Sequence, residues 1–426
     1  MKTLTILLGL TVIHFSQTAF AQVSAEEFQV LREQIQFLTQ RLDELEKATR
    51  QTTPNLEPAN ETTVAPVNEL IKEKINKDGN GQFGERMAAV SWAERMRWKG
   101  DFRYRYENIK VEGTDSRNRI RARIDLEADV SETVQVGLGF TTGGEDPVSS
   151  NQTLGGGGST KDLRLDLAYF DWSGLTDTHI LGGKVRNFLV RAGKNGLMWD
   201  DDWRPEGIGA NWNNGTFFAH GMGTWIESDS NSNKDNEFAW IAQAGMNFKL
   251  GDSTEFRIGV AYAQFNPAGS GSLFGDDDDF FGNSFDPDTL TYRYDYHEIE
   301  AFAEITFDLF DRPLMLFADY VTNTAVGEND SGYALGFKYG KTSGKGTWDV
   351  SYVYEKLEAD AVLGLLTDSN FGGGGTDAKG SIFKGTWALH ENWSAKFTYF
   401  LNEFDLASGK PKDFNRLQLD LNFRYK

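Results

Sequence analysis

The chain contains no cysteine. Disulfides, thiolate metal sites and a cysteine nucleophile are therefore excluded. Histidine is scarce as well. Beyond the first residues only His179, His220, His297 and His390 occur. None has the His-x-x-x-His spacing of a helical metal site, and His220 has no sequence-local Ser or Asp to build a triad with. We expect no catalytic residue, no metal and no cofactor. Positive charge is in deficit, with 43 Lys and Arg against 63 Asp and Glu and a formal net charge of −20. That balance argues against binding nucleic acid through bulk charge. Long apolar runs are missing too. After the first residues nothing approaches the roughly 20 residues of a membrane helix, so a helical membrane protein is excluded.

What is present begins with an export leader at 1–21. Lys2 supplies the positive start, Leu4 to Phe15 the apolar core, and Ala19-Phe20-Ala21 a small-x-small cleavage site before Gln22. Residues 22–50 then carry Phe28, Leu31, Ile35, Leu38, Leu42 and Leu45 at alternating spacings of three and four. These are a and d positions of a coiled coil. About three heptads are marginal alone and imply association, through a homotrimer or another envelope partner. Residues 51–95 read as a linker, with Pro54, Pro58 and Pro66 among Thr, Asn and Glu. Asn76, Asp78, Asn80 and Gly81 imitate the start of a calcium loop, but Met87 stands where the twelfth-position Glu belongs.

From residue 96 to 426 the pattern changes to strict alternation. At the end, Leu417, Leu419, Leu421, Phe423 and Tyr425 alternate with Arg416, Gln418, Asp420, Asn422 and Arg424. A period of two puts one set on each face of a strand. Phe102, Tyr104 and Tyr106 do the same against Asp101, Arg103, Arg105 and Glu107, and Ile120 to Ala128 against Arg119 to Glu127. Roughly sixteen such segments recur, each near the length a tilted strand needs to cross a bilayer. Seven short turns alternate with eight longer polar stretches, the first of these from Ile109 to Arg117. The fold class expected is all-β: a transmembrane antiparallel β-barrel of about 16 strands in outer-membrane lipid, preceded by a short coiled-coil helix.

The polar faces carry the candidate chemistry. Arg103, Arg105, Arg119, Arg121 and Arg123 share the polar faces of two adjacent strands, with Asp125 among them. In a barrel they point inward as a basic ladder, which either biases ion passage or pairs with nearby carboxylates as wall scaffolding. The third long loop holds Arg186, Asn187, Arg191, Lys194, Trp199, Asp200, Asp201, Asp202, Trp203, Arg204 and Glu206. Folded inward, it narrows the lumen; folded outward, it covers the mouth. Asp276 to Asp279 read as a solvated acidic loop, with concentration of cations or binding of a divalent ion as the alternative, and Gly155 to Gly158 and Gly372 to Gly375 as flexible loop tips.

Several of these stretches resemble a known family. Lys99-Gly-Asp-Phe-Arg-Tyr-Arg-Tyr-Glu107, the Arg-x-Arg-x-Arg strand at 119 to 123, and Asp146-Pro147 followed by Asn151-Gln152-Thr153-Leu154 are similar to the putative-porin family of Gram-negative outer membranes. Gly182-Gly183-Lys184 with Asn187, and Asp200-x-Asp202 with Pro205-Glu206-Gly207, extend the resemblance over nearly the whole mature chain. It implies a water-filled barrel, often trimeric, for passive diffusion of small hydrophilic solutes or ions, with the third loop as constriction. The chain departs from the pattern in placing Lys426 after Tyr425 and in lacking a proline after Asn187. The competing reading is a structural or adhesive barrel, closed by its loops and anchored through its coiled coil.

Overall fold

The computed structural model describes residues 95–111, 113–228, 237–251 and 253–425. The leader, the coiled coil, the calcium-like stretch, the linker up to residue 94, and Lys426 lie outside the described residues. In chain order the strands are β1 (Met96–Lys110), β2 (Thr114–Asp129), β3 (Val134–Thr142), β4 (Gln152–Thr153), β5 (Leu163–Leu175), β6 (Thr178–Lys184), β7 (Glu206–Asn213), β8 (Phe217–Glu227), β9 (Glu237–Leu250) and β10 (Thr254–Phe265). They continue as β11 (Phe285–Asp286), β12 (Thr291–Tyr292), β13 (Tyr296–Leu309), β14 (Arg312–Asn323), β15 (Ser331–Gly340), β16 (Trp348–Leu357), β17 (Ala378–His390), β18 (Trp393–Phe404) and β19 (Lys412–Tyr425). β4, β11 and β12 are two-residue pieces inside loops. The other sixteen form one closed antiparallel barrel.

Closure is made by β1 against β19, from Gly100 opposite Tyr425 to Lys110 opposite Asn415. Every long strand thus has two neighbours, and no backbone edge is left facing lipid. The terminal alternating segment read from sequence is the strand that closes the ring.

The usual burial pattern is inverted. Trp240 and Val260 are 62% and 56% exposed on the outer face, while Glu298 and Glu300 are each 1% exposed inside. That is the arrangement expected when lipid is the outer solvent. Aromatic side chains gather near both ends of the outer face. Trp393 stacks on Phe423 at 5.6 Å near the turn end, and Trp225, Phe238 and Trp240 pack edge to face at 4.7 and 5.0 Å near the loop end. Two such bands mark the two interfaces of the bilayer. The β13–β14 hairpin turns on Phe310 and Asp311, both at positive φ (51° and 61°), as a two-residue turn matching strand twist requires. Phe310 is 85% exposed there.

Val260 lies near the middle of β10, between those bands. Replacing Val260 by Arg should destabilise the inserted barrel by about 2–4 kcal/mol. Urea titration of the folded fraction in lipid vesicles reads this, and an unchanged midpoint would contradict a lipid-facing Val260.

The turns read from sequence are short, but the first long loop is not long. Only residues 111–113 join β1 to β2. Strand pairing persists through Lys110 opposite Thr114, beyond the point where apolar alternation stops. Strands projecting past the lipid belt can be polar on both faces, so composition there does not measure loop length. Gly372 to Gly375 are not a free tip either. The Gly372 amide donates to Asn402 at 3.2 Å, and a side chain on Gly375 would run into the Phe281 carbonyl.

Candidate permeation site

Alternation decides which side chains enter the lumen, and it makes two unlike walls. On β8 to β16 the inward residues include Phe218, Met222, Ile241, Phe265, Phe302, Phe317 and Val353, all buried. They are covered by the third loop (185–205) and the seventh (358–377). Leu189, Leu197, Met198 and Trp199 of the third loop, and Leu363, Leu365, Leu366 and Phe371 of the seventh, join the same apolar cluster. Trp199 stacks on Trp203 at 5.0 Å and lies 6.3 Å from Phe265. This cluster inside the barrel is what draws the loops inward.

Polar residues on the same strands pin the loops. Gln243 accepts from the Val190 amide at 2.8 Å and donates to the Val190 carbonyl at 2.9 Å. Glu304 accepts from the Gly193 amide at 2.6 Å, and Asp319 from the Asn195 side chain at 2.7 Å. Gly193 has φ 56°, and a side chain there would meet the Phe317 ring. Only glycine lets the loop approach this wall so closely. Glu298 accepts from the Leu363 amide at 2.8 Å and so holds the seventh loop.

The opposite wall is β17, β18, β19, β1 and β2, where the predicted ladder stands. Arg105 grips Asp420 with two bonds of 2.6 and 2.8 Å. Arg121 donates to Asp101 at 2.7 Å. Arg123 donates to Ser150 at 2.6 Å and lies 3.5 Å from Asp166. Arg103 donates to the Asn151 side chain, and Arg119 to the Asn151 carbonyl at 3.2 Å. Asp125 accepts from Arg186 at 2.5 Å. Glu107, fully buried, gathers Arg117 at 2.7 Å and Arg416 at 2.9 Å. The ladder is therefore both a basic wall and an ion-paired scaffold.

The third-loop residues divide by role. Asp202 reaches the ladder itself, accepting from Arg123 at 2.9 Å and standing 3.4 Å from Arg121. Arg204 lies 3.4 Å from Asp166 on β5. Arg191 pairs with Asp201 within the loop, and Lys194 is exposed. Glu206 pairs with Lys184 at 2.5 Å at the start of β7. Asp200 is buried and joins the two loops: it accepts from the Ser369 amide at 3.0 Å and the Asp202 amide at 2.7 Å, and its own amide donates to Leu366 at 2.8 Å. The ladder and Asp202 are thus in contact, not facing each other across open water.

Environment sets these two carboxyls apart. Burial, then the charges of Asp368 and Asp202, push the Asp200 carboxyl well above its ordinary range. Burial also works against charge on Asp202, but Arg123, Arg121 and Arg103 outweigh it and hold that carboxyl low. An elevated pKa in the docked loops means that the docked form holds the proton more tightly than the released one. The joint is then strongest at acid pH and weakens as pH rises through the elevated value. Single-channel records should flicker more at about pH 8 than at about pH 5; flicker independent of pH would contradict this assignment.

Sequence reading missed the seventh loop's entry, although its Ala-Val-Leu-Gly-Leu-Leu run (361–366) is too apolar for a solvated loop. It also missed Lys384 and Lys396, which occupy the polar parity of β17 and β18, and the counter-ions Asp101, Glu107, Asp166 and Asp420. Asp276 to Asp279 are exposed, as a solvated loop should be, and Gly155 to Gly158 form an exposed tip at positive φ.

A family model described as putative porin matches residues 109–271 and 283–425. Among solved structures, Pseudomonas putida OprB in its high-pH form aligns with 11% identity and a TM-score of 0.51, covering 81% of this chain and 97% of its own. A triple mutant of the Rhodopseudomonas blastica porin aligns at 10% identity and 0.45, covering 78% of this chain and 100% of its own. A loop-deletion mutant of OmpT, an outer membrane protein of Vibrio cholerae, aligns at 11% and 0.45, covering 78% and 99%. The OprB alignment shows a shared barrel fold. No curated protein sequence matches the chain.

Proposed function

Because the chain belongs to the putative porin family, and is thus an outer-membrane porin that passes small hydrophilic solutes or ions through its barrel, we propose that this traffic runs along the basic wall and favours anions. A sixteen-stranded barrel is wide enough for an aqueous channel. The apolar loop cluster lies mainly against β8 to β16 and reaches β17 and β18 at Ile382 and Phe400. The loops meet β19, β1 and β2 through polar contacts such as those at Gln418, Arg103 and Arg123. The path for water and solute is assigned to this polar side.

One observation carries the sign. Among the described residues, Lys384 and Lys396 on the basic wall make no ion pair, and Arg103 hydrogen-bonds only to an asparagine side chain, with Asp202 and Asp420 acting on it at longer range. The acids nearby are already engaged, Asp420 by Arg105, Asp101 by Arg121, and Asp202 by Arg121 and Arg123. The chain's net negative charge sits largely elsewhere, as in exposed Asp276 to Asp279. The third and seventh loops act together as the constriction, and Asp202 sets its edge against the ladder.

The remaining parts complete this reading. From sequence alone we further propose that residues 1–21 direct export and that the heptad-bearing segment 22–50 associates copies of the chain. The closed adhesive barrel is not favoured by the family assignment. Planar-bilayer recording of the purified mature protein tests the proposal. Discrete anion-selective steps in groups of three are expected, and a folded, inserted protein passing no current would overturn it.

A further inference from the structure

The unpaired cations of the open wall are close to one another. Lys396 lies within electrostatic reach of Lys384, Arg103, Arg105 and Asp420. Strand register puts Lys396 opposite Asp420, and Asp420 opposite Arg105. Thr386 stands opposite Lys396, and Thr398 opposite Lys384. Neighbouring strands are about 4.8 Å apart, so long side chains from β17, β18 and β1 can meet over one small solute. Both lysines keep part of their surface open.

Nearby acids do not neutralise this group. Asp420 is held by both prongs of Arg105. Asp349 accepts from Thr342 and lies 3.6 Å from Lys338. Glu355 acts on Lys384 at a distance, but it is buried and makes no ion pair with it among the described residues. Cations gathered in a narrow lumen repel one another and lose hydration. An anion joining them relieves both costs, and a doubly charged one relieves more than chloride does.

We propose that Lys384, Lys396 and Arg103 form a saturable binding site for a small divalent oxyanion, with Thr386 and Thr398 alongside to donate hydroxyl hydrogen bonds. The site rests on the basic wall being the conducting route. It goes further in giving that route a preferred solute class and a residence step. A site of this kind concentrates its solute at the narrow point while leaving it free to exit on either side.

Chloride current through the purified full-length protein tests it, titrated with inorganic phosphate at about pH 8, where phosphate is mostly divalent, and at constant ionic strength. Wild type should show saturable block. Lys384→Gln with Lys396→Gln should raise the half-blocking concentration about tenfold or more, and Arg103→Gln alone should raise it by a smaller factor. Lys249→Gln, near a turn and paired with Glu255 at 3.7 Å, should leave it unchanged. Each variant is first checked for folding by heat-modified migration on gels. A wild-type current that falls without saturating, or a double variant that keeps the wild-type half-block, would overturn the site while leaving anion conduction intact. A wild type that passes no chloride would remove the conducting route and the site with it.

Discussion

Replacing Arg103, Arg105, Arg119, Arg121 and Arg123 together by serine reverses the selectivity of the pore, from anions to cations. The size of the effect follows from the pairing. Each arginine lost removes a base, and the loss of Arg105, Arg121 and Arg123 also uncovers their acid partners. Asp420 loses its two-pronged grip, Asp101 loses its 2.7 Å partner, and Asp202 loses both Arg121 and Arg123. Glu107 keeps Arg117 and Arg416, and Asp166 keeps Arg204. The wall therefore passes from an excess of cations to uncovered carboxylates in a confined, poorly screened space, where fixed charge is felt most strongly. The barrel itself should still close, because its wall is held by backbone ladders such as the pairing of β1 with β19. A measured reversal potential that does not move would refute the ladder as the selectivity element. Lysine in place of the five arginines should retain anion preference, since charge is kept while the bidentate geometry is lost.

The second large effect concerns the seventh loop. Leu363→Asp with Leu366→Asp should expel it from the lumen and raise single-channel conductance by roughly twofold or more. Leu363 and Leu366 are both buried in the internal apolar cluster. Ionised aspartates there lose their hydration, at a cost of several kcal/mol. The first would stand next to Glu298, which accepts from the residue-363 amide, and the second next to Asp200. Repulsion from Glu298 adds to desolvation at the first point. Swinging the loop into the external water removes both penalties, and the loop lies outside the strand ladders. The third loop would then lose its joint at Asp200 but keep Gln243, Glu304 and Asp319, so it should loosen without leaving. Unchanged conductance in a variant that folds and inserts would mean that the seventh loop does not limit the pore.

The barrel was legible in sequence for a simple reason. A lipid-facing strand must alternate, and a period of two survives without any knowledge of partners. The ladder and the inward third loop were legible in the same way, as charge on the polar parity and charge crowded in one connection. Pairing was not. Arg105 and Asp420 are brought together only by the closure of β1 on β19, and Arg123 and Asp202 only by the return of the third loop. The seventh loop was hidden because its polar and glycine-rich flanks masked the apolar run at 361–366. The length of the first loop was misjudged because apolar alternation ends before backbone pairing does. Lys384 and Lys396 carry no distinguishing signal in sequence, and only the structure shows the acids near them paired with other bases.

The central claim is that the open side of the lumen is the basic wall and that it conducts anions. The reversal potential of the wild-type channel in a planar bilayer under a potassium chloride gradient tests it most directly. The account predicts the sign set by chloride. A potential of the sign set by potassium would contradict it.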